Sequence, residues 1–283
     1  MVGQTQLRDN LEGLIKANSF PRFSILVGPT GSGKKTLASE IGHKLASEVI
    51  MAEDVRIESL REIMSMAYKP APATRVFILP DADTMSVNAK NSMLKITEEP
   101  PKDVYFIMTV QNIDNMLDTI RSRAQVFTLE FYTIDELKDF ALTDCSMTTD
   151  EFKSIRAICE VPGDILEICR YGCKSFIEYV TLVVDNIAVV SGANSFKIAD
   201  KVALKNEEDK FGLRLFLKAF NDVCFTRIYS KGQLLPNRYE YLKAILVTSD
   251  YISQLRTTGI NKQMVFDSWL LDIRKVWKIK KSD

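Results

Sequence analysis

Phe23-Ser-Ile-Leu-Val-Gly28-Pro-Thr-Gly-Ser-Gly-Lys34-Lys-Thr36 decides the fold of this chain. It begins with a short apolar, β-rich run and continues as G-x-x-x-x-G-K, a loop that works as a phosphate cradle only between a strand and a helix. Both contexts are predicted here. Glycines let successive backbone N–H groups converge, the helix N-terminus adds a positive dipole, and Lys34 can reach the outer phosphates. Gly28, Pro29, Thr30, Gly31, Ser32, Gly33, Lys34, Lys35 and Thr36 are therefore the candidate contacts to the phosphates of ATP or ADP.

Before this stretch, Leu7, Leu11, Leu14 and Ile15 recur at helical intervals. After it, buried strands are predicted at Arg75–Leu79 and 104–109, a short strand near 125–129, and a helix over about 86–98. Strands alternating with helices imply a parallel sheet. From about 133 onward the strands are expected to stop, with helices at 133–143, 149–159, 163–171, 174–190, 211–230, 237–248 and 262–278. The polar stretch 191–197 looks like the weakest link of the helical part.

At 283 residues and 46% apolar, the chain can bury the cores of two or three compact units. Lys plus Arg and Asp plus Glu number 37 each, which excludes a global positive field, so contact with DNA needs a local patch or an assembly. No apolar run approaches the roughly 18 residues of a membrane helix. The N-terminus MVGQTQLRDN has no apolar core of a signal peptide, and the expected location is the cytoplasm, with no membrane partner. Cys145, Cys159, Cys169, Cys173 and Cys224 are odd in number and show no C-x-x-C spacing, so reduced thiols and no zinc are expected.

The phosphate loop departs from a competent ATPase just where the metal is held. The position after Lys34 should carry a Ser or Thr hydroxyl for Mg²⁺, but it is Lys35, with Thr36 one place late and about 100° round the helix. An ammonium ~4 Å from Mg²⁺ would be repelled by roughly 8 kcal/mol at an effective dielectric of 20. Lys35 is therefore expected to turn to solvent, or the metal to be weakly held. After the second strand, Asp then Glu should hold metal and orient water, whereas this chain has Pro80 and Asp81. Asp81 is the one candidate base; Asp83 is expected to cap the following turn. His43, the only histidine, has no catalytic pattern around it. No protein metal site is expected.

In order along the chain, Val2-Gly-Gln4, the loop 28–34, Tyr68-Lys-Pro70, Asn91-Ser-Met-Leu-Lys95 leading into Glu98-Glu-Pro-Pro101, and Thr119-Ile-Arg-Ser-Arg123 resemble the clamp-loader branch of the AAA+ ATPases. The last two segments match the signatures N-(A/S)-L-L-K-x-x-E-E-P-P and T-I-x-S-R-C, with Ala124 in place of the final Cys. The resemblance covers about 1–175 well. It implies a P-loop α/β AAA+ domain over 1–131, a small helical lid over 132–176, and an all-α collar over 177–283 that would hold a hetero-pentameric ring.

Within the family the chain is more similar to the delta-prime stator than to the motor subunits. Lys35, Pro80-Asp81 and Asp164 of Val161-Pro-Gly-Asp164 stand where motors carry a hydroxyl, an acidic pair and a basic lid sensor, and the family's four-Cys zinc module is absent. The resemblance implies that Ser122 and Arg123 serve a neighbouring subunit's ATP site in trans, with a sliding clamp and primer-template DNA as partners of the assembly. Two alternatives stay open: a motor ATPase rescued by Thr36 and Asp81, and a replication scaffold whose loop is only a structural turn. A DNA contact by Trp269, Trp277, Lys278, Lys280 and Lys281 is weighed against amphipathic packing, which the spacing favours.

Overall fold

Val76, Phe77, Ile78 and Leu79 are apolar without a break, a pattern that suits a strand covered on both faces rather than one with a wet side. In the computed structural model, which describes residues 3–186, 202–203, 211–230, 233–234, 238–255 and 260–278, that strand is wholly buried. The expected weak point at 191–197, residues 187–190 of a predicted helix, Val2, Lys280 and Lys281 lie outside the described residues. The chain divides into two compact units, one ending at Glu136 and the other beginning at Leu137.

The first unit holds α1 (Thr5–Lys16), β1 (Phe23–Val27), α2 (Lys34–Leu45), β2 (Glu48–Met51), α3 (Ile57–Tyr68), β3 (Arg75–Leu79), α4 (Val87–Ser92), α5 (Leu94–Glu98), β4 (Val104–Val110), α6 (Asp118–Arg121) and β5 (Gln125–Thr128). The five strands pair in parallel in the order β2-β3-β4-β1-β5. Alternate residues of each strand serve opposite cores. Phe23, Ile25, Phe77, Leu79, Phe106 and Met108 pack with Leu60, Ile63 and Met93 on one side; Leu26, Val76, Ile78 and Ile107 pack with Leu11, Leu37 and Ile41 on the other.

Three of these elements went unread in the sequence, β2, α3 and the four-residue α6. β2 is an edge strand, half-buried and only four residues long, so its signal is weak. α3 does carry a helical stripe in Leu60, Ile63 and Ala67, all buried. The helix expected over 86–98 is interrupted at Met93, whose N–H reaches back to Lys90 O at i−3 while its side chain fills the core. Ser86 caps the start of α4, accepting from the Ala89 N–H.

Arg75 is buried at the start of β3, where it closes the C-terminal end of α3. Its guanidinium donates to Met66 O at 2.7 Å, Lys69 O at 2.6 Å and Ala67 O at 3.4 Å, at a helix end where carbonyls run short of amide donors and only Met66 O also accepts the Lys69 N–H. Arg75→Ala should therefore destabilise the protein by about 2–4 kcal/mol, because buried carbonyls lose charge-assisted donors. Urea denaturation measures it; a loss no larger than that of a surface substitution would mean water replaces the guanidinium.

The second unit carries α7 (Ile134–Thr143) from its second turn onward, α8 (Thr149–Ile155), α9 (Pro162–Tyr171), α10 (Cys173–Asn186), α11 (Leu213–Ile228), α12 (Arg238–Gln254) and α13 (Lys262–Lys278). The expectation that strands stop after 133 needs correction. Val202–Ala203 pairs in parallel with Phe211–Gly212, and Tyr229–Ser230 pairs antiparallel with Gln233–Leu234, so α11 is shorter at both ends than predicted. Two-residue strands are too short to display a period of two. α8 also stops earlier than expected, and α12 runs further.

Trp269 is fully buried in this unit, while Trp277 packs edge-to-face on Tyr241 with centroids 5.8 Å apart. The five cysteines are free thiols; Cys159, Cys173 and Cys224 are buried and Cys145 and Cys169 half-buried. No described helix is long and apolar enough to cross a membrane.

Candidate functional site

β4 lies between β1 and β3, so the loops leaving the C-terminal ends of these strands converge at one edge of the sheet, where ligands of open α/β folds bind. The loop after β1 is the phosphate cradle. Gly31 and Gly33 sit at φ 82° and 83°, left-handed values that favour glycine, and Gly33 then opens α2. A Cβ at Gly28 would meet Ser32 Oγ at 3.0 Å and Leu129 Cβ at 3.2 Å, so the loop packs tightly on the chain after β5. Tyr132, which sequence reasoning missed, donates its hydroxyl to Ser32 O at 2.8 Å; burial is the main cause that pushes this phenol up to about 12.

Lys34 is buried and donates from Nζ to Gly28 O at 2.7 Å and Pro29 O at 2.8 Å. Ser32 Oγ is buried with no hydrogen-bond partner. Pro29, Thr30 and Gly31 at the tip are exposed, as are Lys35 and Thr36.

Burial pushes the Lys34 ammonium down to about 8, with Asp81 and Asp83 pulling it up and Lys35 pushing it down. Since the folded chain holds this proton less tightly than the unfolded chain does, Lys34 makes stability rise with pH between about 8 and 10.5. An anion at the loop has the opposite demand. Affinity for ADP or inorganic phosphate should fall as pH rises through about 8, by up to about tenfold per pH unit, which titration calorimetry across that range reads out. An affinity indifferent to pH there would remove Lys34 from the anion contacts.

Lys35 is exposed to solvent, as one branch of the expectation had it, and it also forms an ion pair that the sequence reading did not foresee. Its Nζ lies 2.7 Å from Asp81 Oδ2, and the two side chains remain about half-exposed. Asp81 sits in the left-handed region at φ 50°, its N–H donating to the buried Thr109 Oγ1 at 3.1 Å, so the end of β4 fixes its position. Thr109 is a second site residue that the sequence reading missed. Asp83 does not cap the following turn as expected. Its Oδ2 accepts the Gln111 and Asn112 N–H groups at 3.1 and 3.2 Å, tying down the loop after β4, and its Oδ1 is buried without a partner.

These residues do not fit Mg²⁺. The hydroxyl position is a lysine, Pro80 brings no carboxylate, Asp81 is paired, and Asp83, held by amides at Oδ2, leaves a single carboxylate oxygen without a partner. Among the described residues no three His, Cys, Asp or Glu side chains gather to hold a metal ion.

Arg123 and Ser122 follow α6 at the surface. The guanidinium donates Nη2 to Glu98 Oε1 at 2.6 Å and Nη1 to Thr119 O, so the ends of the two most specific sequence segments meet in space. Glu98 had no role in the sequence reading. Arg121 instead pairs with Asp114 and Asp118. Asp164, where motor subunits carry a basic group, is buried and accepts from Arg214 Nη2 at 2.6 Å and Glu160 N at 3.0 Å, joining α9 to α11. Gln4 is buried too, its amide exchanging two hydrogen bonds with the Glu130 backbone at 2.7 and 2.8 Å. His43 is exposed.

A family model described as "DNA polymerase III, delta subunit" matches residues 46–133. The DNA polymerase III subunit gamma of Buchnera aphidicola subsp. Acyrthosiphon pisum is 26% identical over 185 residues, 61% of this chain and 51% of that protein. The DNA polymerase III subunit delta' of Bacillus subtilis is 34% identical over 89 residues, 31% of this chain and 26% of that protein. The replication factor C small subunit 1 of Pyrobaculum aerophilum is 24% identical over 257 residues, 82% and 77% of the two chains. The chain thus spans about half the length of the Buchnera relative. Among solved structures, a DNA polymerase III gamma subunit-related protein of Thermotoga maritima superposes with a TM-score of 0.58 at 16% identity over 94% of this chain and 99% of that one, a likeness of fold.

Proposed function

We propose, from its membership of the clamp-loader family, that this chain is a delta-prime-like brace: a cytoplasmic replication subunit that does little ATP chemistry itself and lends Arg123 to a neighbouring motor. The observation that carries this reading is the Lys35–Asp81 ion pair, which engages the one carboxylate a rescued ATPase would need and puts a lysine where the metal's hydroxyl should stand. Arg123, by contrast, remains at the surface just after a short helix, where its planar fork of donors suits the equatorial oxygens of a phosphoryl group in transfer. Its partners are other clamp-loader subunits in a hetero-pentamer, and through them a sliding clamp and primer-template DNA.

Affinity capture from the source cell tests the assembly. Motor subunits and a clamp should accompany the tagged chain; recovery without them leaves the scaffold reading. Phosphate release tests the division of labour. The purified chain should bind ATP or ADP weakly and turn it over negligibly, and Lys35→Thr should not create a fast enzyme, since Pro80 still supplies no carboxylate. Steady multiple turnover by the unmodified chain would make it a motor.

A further inference from the structure

We infer that the loop 28–34 takes a diphosphate group free of Mg²⁺, with Lys35 supplying the positive charge that the metal brings to motor ATPases. This rests on reading the loop as a phosphate cradle, and it concerns only which form of the ligand enters. The cradle keeps its anion-binding parts. α2 is 12 residues long and points its N-terminus at the loop, Lys34 Nζ lies on the Gly28 and Pro29 carbonyls, and Ser32 Oγ is buried without a partner beside them. What has changed is the metal's side of the site.

Lys35 Nζ sits 2.7 Å from Asp81 Oδ2, so a cation entering there must first displace an ammonium and then share its surroundings with it. Little help comes from a second carboxylate: two backbone amides hold Asp83 by its Oδ2 and leave only its buried Oδ1 without a partner, and Pro80 has no carboxylate to offer. An anion meets no such obstacle. The Lys35–Asp81 pair is about half-exposed, and exposed pairs are weak, so a phosphate can draw the ammonium off Asp81 at small cost. A metal-free diphosphate also carries two more negative charges than its Mg²⁺ complex, which strengthens its attraction to Lys34 and Lys35. Asp81 then acts as a competitor of the ligand for Lys35, the reverse of a metal-holding carboxylate.

Calorimetry on the full chain at neutral pH tests this with inorganic pyrophosphate and with ADP, each in excess EDTA and in excess Mg²⁺. Both ligands should bind at least about threefold more tightly in EDTA, since the metal removes charge that the lysines would otherwise meet. Asp81→Asn, which keeps a residue tolerant of the left-handed backbone at 81, should tighten binding in EDTA by about three- to tenfold. Lys35→Ala should weaken it by about tenfold. Mg²⁺ tightening the binding tenfold, or Asp81→Asn weakening it, overturns the inference. Pyrophosphate binding as well as ADP identifies the diphosphate alone as the recognised group, and a clear preference for ADP identifies a nucleotide; either supports the metal-free form. Silence of both ligands in both buffers overturns the inference together with the cradle itself, and leaves the proposed role of Arg123 standing.

Discussion

If Arg123 serves a neighbouring motor as proposed, Arg123→Ala should cut ATP turnover at that motor site by about 10³-fold in a reconstituted loader stimulated by clamp and DNA, within the range a trans arginine supplies in related phosphoryl transfer. The isolated chain should hardly notice. Arg123 is exposed, and its pair with Glu98, half-exposed at 2.6 Å, is of the kind that contributes about 0–1 kcal/mol. Assembly should persist as well, since in the proposed ring the helical collar rather than this side chain would hold the subunits together. Arg123→Lys should rescue poorly, since a point charge cannot reproduce the guanidinium fork. Glu98→Gln should give a smaller loss than Arg123→Ala, because it loosens the arginine without removing it. Stimulated hydrolysis and clamp loading unchanged by Arg123→Ala would leave the chain a passive brace.

What the sequence disclosed about this site and what it hid differ by the range of the interaction. Gly28 to Lys34 could be read because a strand, a glycine loop and a helix start are local, each written in adjacent residues. The apolar run at Val76–Leu79 was legible for the same reason, and so was the sheet's parallel class. The edge strand at Glu48–Met51 was not, since a half-buried strand of that length has almost no alternation to detect. Partnerships were harder still. Tyr132 reaches Ser32 across 100 residues and Glu98 reaches Arg123 across 25, and only the strand order brings such segments together. The oddity at Lys35 was visible as a missing hydroxyl, but its answer, a pair with Asp81, needed β1 and β3 placed on either side of β4. Asp83 was misjudged because a carboxylate near a turn usually caps it, whereas here the loop after β4 supplies amides that bind it instead.

Trp269→Ala should destabilise the helical unit by about 3–5 kcal/mol, the range for removing a large aromatic from a core that cannot collapse around the void. The indole is fully buried among Phe216, Phe220 and Phe266, with ring centroids 5.5, 5.1 and 5.8 Å away, the first two edge-to-face. Its Nε1–H donates to Thr248 Oγ1 at 2.9 Å, also inside the core, so the substitution leaves a buried hydroxyl unpaired as well as a cavity. Trp269→Phe separates the two effects: it keeps most of the ring volume, loses the hydrogen bond, and should cost only about 1–2 kcal/mol. Denaturation followed by circular dichroism reads both, and Trp277 remains as a fluorescent reporter in the same unit. A tryptophan whose work was to touch DNA would behave otherwise, since its removal would weaken DNA binding and leave the folding midpoint within about 0.5 kcal/mol. The burial of the ring predicts the reverse order of effects, and a folding midpoint unmoved by Trp269→Ala would mean that the α11, α12 and α13 core does not depend on the side chain at its centre.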